Sequence, residues 1–325
     1  MPSYKRVVAA FASLLILVGV APMASAQNQG VSGSGLSISP TLAEFTLGPG
    51  QSSSVVITLK DSSAGSITAE GVVNDFTSDG STGNPKLLLN AGESSPNSIK
   101  NFVYQLDNVP LTPGQQKDVT VGIHIPDKTA PGAYYGVIRY KAVPQGAGGS
   151  GQGKVALTAS VGTIVLITVP GNLRELVKVG DLHIYHGTQD GRLFLSKPNN
   201  LGVEIQNYGN GFERPFGTVT VQNMFHKVID TFKFNNPQQL GSVLPNSTRI
   251  FTHPVNGITQ FGRYTATASV AYGNGSTIVT VNKTFWYVPA WIAIIIVAVL
   301  LILILLTIRL YVRYRRDAKH SYRRK

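Results

Sequence analysis

From Val288 to Ile308 the chain carries 21 consecutive residues without a charge, and Thr307 is their only polar side chain. As a helix this run is about 31 Å long, matching a hydrocarbon core of about 30 Å. A buried core helix would be shorter and flanked differently, so the run reads as a membrane span. Trp286, Tyr287 and Trp291 gather at its start, where amphipathic rings favour the headgroup level, and Pro289 suits a first helical turn. The cationic side begins at Arg309 and Arg313. Residues 309–325 hold eight basic side chains against Asp317 alone. By the positive-inside bias this tail is cytoplasmic, and Gln27 to Tyr287 lies outside. An anionic-lipid patch is a second reading of the tail, but orientation alone already requires such charges.

The opposite end reads as a secretory signal over residues 1–26. Lys5 and Arg6 are the charged start, Val7 to Val20 the apolar stretch, and Ala24-Ser25-Ala26 the cleavage site. An uncleaved anchor is the alternative; either way the following segment is exported. The two ends also explain the net charge of +12. Between them, residues 27–287 hold 18 basic and 15 acidic side chains, an ordinary balance that argues against a nucleic-acid surface. The chain has no cysteine, which removes disulfides, thiolate nucleophiles and zinc-thiolate sites together. The exported part must then rest on hydrophobic cores, and it is long enough for two domains.

After a Gly/Ser leader (27–35), the pattern is that of strands. Val55, Ile57 and Leu59 share one face of Ser53 to Lys60, and Val119, Val121, Ile123 and Ile125 one face of Lys117 to Ile125. Each run follows a Pro-Gly-Gln turn, at Pro49 and at Pro113. Further strands are expected at 36–39, 67–73, 102–106, 133–143 and 155–169. The last of these should return to the strand before it across the Gly-rich stretch 144–153. A second set, near 182–185, 202–207, 217–223, 228–234, 249–252, 264–272 and 276–285, is separated by Asn, Gly and Pro clusters. The expected class is all-β: two tandem immunoglobulin-like sandwiches, 36–171 and 172–287, then a transmembrane helix (288–308) and a basic tail (309–325).

Chemistry-bearing motifs are scarce. His183 and His186 are three apart, which on a strand places them on opposite faces. No G-x-S-x-G elbow and no phosphate-binding Gly loop occurs. Glu70, Asp75 and Asp79 are the carboxylates that a hydrolase would need, and residues 74–84 (NDFTSDGSTGN) are the nearest approach to a cation loop, without the calcium-loop spacing. Three Asn-x-Ser/Thr triplets, at Asn246, Asn274 and Asn282, fit a glycosylation pattern that arises readily by chance. Tyr134, Tyr135, Arg139 and Tyr140 lie on one expected strand. Aromatic rings there could stack on sugar faces while the Arg meets carboxylates, although alternation turns one tyrosine of the pair inward. No cofactor and no metal is expected.

The segments 46–61, 109–141 and 155–171 resemble the WxL-interacting protein family of bacterial cell surfaces. Glu44-Phe45-Thr46-Leu47 and Tyr135-Gly136 depart from that family's pattern. The resemblance implies a peptidoglycan-binding first sandwich, a second sandwich for a host or wall-associated protein, and a single span with a basic tail. The expectation is therefore a non-catalytic, membrane-anchored surface protein whose partners are peptidoglycan or a surface protein and, at its span, membrane lipid. A wall-modifying hydrolase using the carboxylates above is the enzymatic rival. An accessory subunit is the third reading, but the span has no Gly-x-x-x-Gly and no charge to supply a packing face.

Overall fold

The computed structural model describes residues 35–90, 92–145, 160–235, 241–273 and 277–322, with the side chains of the last helix as far as Arg313. The signal segment, most of the leader and the first five residues of the expected 155–169 strand lie outside these residues.

The first sandwich contains β1 (Leu36–Ser39), β2 (Leu42–Thr46), β3 (Ser52–Asp61), β4 (Ile67–Asn74), β5 (Phe76–Ser78), β6 (Pro85–Leu87), β7 (Val103–Tyr104), β8 (Val109–Leu111), β9 (Gln116–His124), β10 (Gly132–Pro144) and β11 (Ser160–Val169). One sheet has the order β1-β3-β9-β7 and the other β2-β11-β10-β4-β8, while β5 and β6 form a separate hairpin. β11 does return antiparallel on β10, from Gly132 opposite Val169 to Lys141 opposite Ser160. The leading strand is divided at Pro40: β1 pairs with β3 in one sheet, whereas β2 runs parallel to β11 in the other. The alternation in β3 and β9 works as expected. Ile57, Leu59, Val121 and Ile123 are fully buried against Ile138, Tyr140, Val165 and Ile167. Each such aliphatic side chain contributes about 1.5–3 kcal/mol.

The second sandwich contains β12 (Val177–His186), β13 (Gln189–Asp190), β14 (Leu193–Phe194), β15 (Asn200–Asn207), β16 (Phe216–Asn223), β17 (Val228–Phe234), β18 (Ser247–Pro254), β19 (Gly262–Tyr272) and β20 (Thr277–Tyr287). Its sheets are β13-β12-β15-β18 and β14-β20-β19-β16-β17. In place of a disulfide, Tyr264 stacks on Phe285 at 5.5 Å, and Phe194 meets Phe285 edge-on at 6.3 Å. The helix α1 (Ala290–Tyr322) follows after only Val288 and Pro289. The molecule is thus all-β in its globular part: two tandem immunoglobulin-like sandwiches, with one C-terminal apolar helix long enough to cross a membrane.

Both sandwiches carry the same corner. Tyr134 is the third residue of β10 and its hydroxyl donates to the Ala130 carbonyl at 3.0 Å; Tyr264 is the third residue of β19 and donates to Gln260 at 2.5 Å. Each tyrosine reaches back four residues and pins the connection entering the middle strand of the five-stranded sheet. The expected strand 102–106 shrinks to Val103–Tyr104, because Phe102 closes a turn on Ile99 and Gln105 adopts a positive φ of 56°.

Candidate functional site

The strand that was the sequence's best candidate for a ligand surface is spent on packing. Tyr140 is fully buried in the first core, and burial pushes its hydroxyl up to about 12. Tyr134 makes the corner and lies against Phe102 at 5.0 Å. Arg139 donates from Nε to Asn74 Oδ1 at 3.1 Å. Tyr135 points to the outer face of its sheet, yet it is only 5% exposed, held between Phe76 and Phe212. No exposed aromatic platform results from these four side chains.

What covers Tyr135 is the second sandwich. Tyr135, Val137 and Leu166, on the outer face of β10 and β11, pack with Phe76, Leu87, Phe212 and Leu244 into a third apolar cluster. The hairpin β5–β6 reaches across as a clasp: Ile250 donates its backbone N–H to the Ser81 carbonyl at 2.6 Å. Asp79 organises the hairpin tip by accepting from Thr82, Ser81 and Gly83, and those hydrogen bonds hold its carboxyl below the usual range. Residues 74–84 are therefore a structural clasp rather than a cation loop. Asp75 is likewise engaged, with Ser95, Ser98 and Lys100, while Glu70 is exposed on β4. Asp75 and Asp79 are thus committed to separate local contacts, and Glu70 lies apart from both on the strand surface. Among the described residues no group of three or more His, Asp or Glu side chains is placed to hold a metal. His183 and His186 have separate partners: His183 bridges Asp190 at 2.7 Å and Glu204 at 2.9 Å, and His186 meets the Lys197 carbonyl. Burial lowers the His183 pKa, but its two carboxylate hydrogen bonds outweigh this and the net shift is upward.

Beside the apolar cluster the two sandwiches leave a cleft of about 630 Å³. One wall is Glu44 and Thr46 of β2 with Leu166 and Thr168 of β11; the other is the 212–216 segment with Glu175 and Tyr272. Arg214 closes the rim by bridging to Glu44 at 2.5 Å and donating to Ser242 Oγ at 3.0 Å. Glu213 is fixed by a two-way backbone bridge to Val243 and is 5% exposed. Burial, reinforced by the nearby Glu175 carboxylate, pushes its carboxyl up to about 7. The cleft thus holds three carboxylates around one already paired guanidinium, and one of the three is poised to change charge near neutral pH. Sequence reasoning passed over Glu213, because its bridge to Val243, thirty residues on, leaves no local period to read.

No family model matches the chain, and no curated protein matches it. Among solved structures the chain is similar to the CsuC–CsuE chaperone–tip adhesin complex of Acinetobacter baumannii, with 10% identity over 76% of this chain and 97% of that one and a TM-score of 0.36. It is similar also to the E. coli chaperone DraB, with 13% identity over 78% and 98% and a TM-score of 0.35. At this level no partner and no activity is transferred. The resemblance to the WxL-interacting family is corrected by these findings. Its motifs are generic to sandwiches: Gly50 and Gly114 have φ of 75° and 76° in turns that serve two different strands, β3 and β9.

Proposed function

We propose that this chain is a non-catalytic binding protein held at a membrane by α1, with both sandwiches outside and the basic tail in the cytoplasm. The inter-sandwich cleft receives a protein partner. The observation that carries this reading is Glu213, a nearly buried carboxyl that lines a preformed cleft. A buried carboxylate is costly alone and much less so beside a cation, so the cleft suits a lysine or arginine side chain presented by a polypeptide. Trp286, Tyr287 and Trp291 at the start of the helix, and Arg309 and Arg313 near its far end, suit the two headgroup layers.

The test is a photo-crosslinking residue at Thr168, in the cleft wall, in the full-length protein in cells. A discrete protein adduct that disappears when Glu213 is replaced by Lys supports the reading. Co-sedimentation with purified cell walls and no protein adduct would replace it with peptidoglycan binding. Protease applied to intact cells should remove the sandwiches; their survival would reverse the orientation.

A further inference from the structure

The second sandwich has two ends. One, with Phe212 and Leu244, faces the first sandwich. The other is where α1 leaves, and it gathers most of the exposed apolar surface. Among the described residues of this sandwich, seven of the ten exposed large apolar side chains lie at that end. Met224, Phe225 and Val228 come from the connection between β16 and β17, and Phe261 from the entry to β19. Leu193 and Leu195 come from the segment that accompanies the end of β20, where Leu193 lies opposite Trp286. Phe225 is 76% exposed and Leu193 66%. The strand registers place them at one level: Asn223 is opposite Tyr264, which is opposite Phe285, and Gly262 is opposite Tyr287.

The same end is basic. Arg192, Lys197, Lys227 and Arg263 are all exposed, and the two acids nearby are engaged, Asp190 with His183 and Asp230 with the Asn256 backbone N–H. The joint to the helix is also stiff. Trp286, Val288 and Ala290 donate their backbone N–H groups to the carbonyls of Arg192, Phe194 and Leu195, at 2.7, 2.8 and 3.1 Å. Only two residues separate β20 from α1, so the sandwich cannot swing far from the axis of its anchor.

We infer that this end is a lipid-seating surface, with Phe225, Phe261, Leu193 and Leu195 set in the interfacial layer and the four basic side chains among anionic headgroups. The inference rests on the membrane-anchored reading. Continuity with the helix selects lipid as the occupant, because a span that begins at Ala290 holds this end within a few ångströms of the headgroups. Aromatic rings and cationic side chains at that depth are the chemistry the interface favours.

The absence of cysteine permits single-site labelling of the full-length chain. Phe225→Cys, Ile278→Cys and Leu300→Cys variants carry an environment-sensitive fluorophore in phosphatidylcholine vesicles containing phosphatidylglycerol, with nitroxide-labelled lipid as quencher. Quenching at positions 225 and 300 but not at Ile278, which is exposed at the opposite end of β20, supports the inference. Removing charge with Arg192→Gln and Lys227→Gln should lower the seated-to-lifted ratio about five-fold per residue in the anionic vesicles. Quenching at 300 without quenching at 225 overturns the seating while the anchor stands. A probe at 225 shielded from both lipid and aqueous quenchers overturns it in favour of a protein contact. No quenching at either position overturns the anchor reading itself.

Discussion

β10 and β19 occupy the same place in their sandwiches, the middle of a five-stranded sheet, and both open with Gly-x-Tyr. Their inner faces are alike: Ile138, Tyr140 and Ala142 in one, Ala266, Ala268 and Val270 in the other. Their outer faces are opposite in character. β10 presents Tyr135 and Val137, which the second sandwich and the clasp cover; β19 presents Thr265, Thr267 and Ser269, which nothing covers fully. A strand buried on both faces loses its alternation, and one facing water keeps it. The difference between the two strands therefore marks where the molecule docks onto itself.

Tyr135→Ala should give the largest effect. It empties the centre of the third cluster between Phe76 and Phe212, and removal of a buried aromatic ring costs about 3–5 kcal/mol. Urea unfolding of the full-length protein in detergent micelles should show a lower midpoint and a separation of the two sandwiches into distinct transitions. Thr265→Ala, at the comparable outer position of β19, should stay within about 0.5 kcal/mol of the parent. Equal losses at the two positions would break the contrast between the strands.

The two cores and the apolar helix were legible because each rests on a local period: two for β3, β9 and β19, and an unbroken apolar run for α1. The short strands β2, β5, β6 and β14 were not. Each is only two to five residues long and exists through pairing or docking partners distant in sequence, as β2 does on β11. The burial of Tyr135 was not legible for a related reason. Its burial depends on Phe212, which no period ties to it. A usable signal was nevertheless present: the run from Ala133 to Tyr140 has too few polar residues for a strand with one wet face. The repeated Gly-x-Tyr at 132–134 and 262–264 was a second such signal, and it assigns Tyr134 to a corner rather than to a ligand.

Glu213 lines the cleft between the two sandwiches, so its titration reports on that cleft. Its folded pKa, about 7, lies above the ordinary carboxyl value, so the ionised form is disfavoured in the folded state. Stability is full below about pH 4.5 and falls as pH rises through about 7. Glu213→Gln removes this loss. Discounted for the solvent in the open cleft, the variant should gain on the order of 1–2 kcal/mol at pH 8 and nothing at pH 4. A pH-independent difference in thermal unfolding would show that Glu213 is solvated and that the sandwiches do not close over it.

The tyrosine corners offer a sharper comparison because they are chemically matched. Tyr134→Phe and Tyr264→Phe each remove one hydroxyl-to-carbonyl hydrogen bond four residues back, and each should cost about 1 kcal/mol in the same urea assay. Near-equal losses would confirm that the two middle strands share their entry. A loss at Tyr264 alone would mean that contacts across the joint already hold the first corner in place.

The smallest effect is expected at the rim, where Arg214 of the second sandwich meets Glu44 of the first. Both side chains are more than a third exposed, so water screens their attraction and competes for their hydrogen bonds. A double-mutant cycle of Glu44→Gln and Arg214→Gln should give a coupling below about 1 kcal/mol that shrinks further in high salt. The cycle separates two ways of joining the sandwiches. If the coupling instead approached the loss from Tyr135→Ala, an ion pair would hold the joint, and the apolar outer face of β10 would need another explanation. If it is small, the joint rests on the apolar outer face of β10, and the exposed rim pair adds little to it.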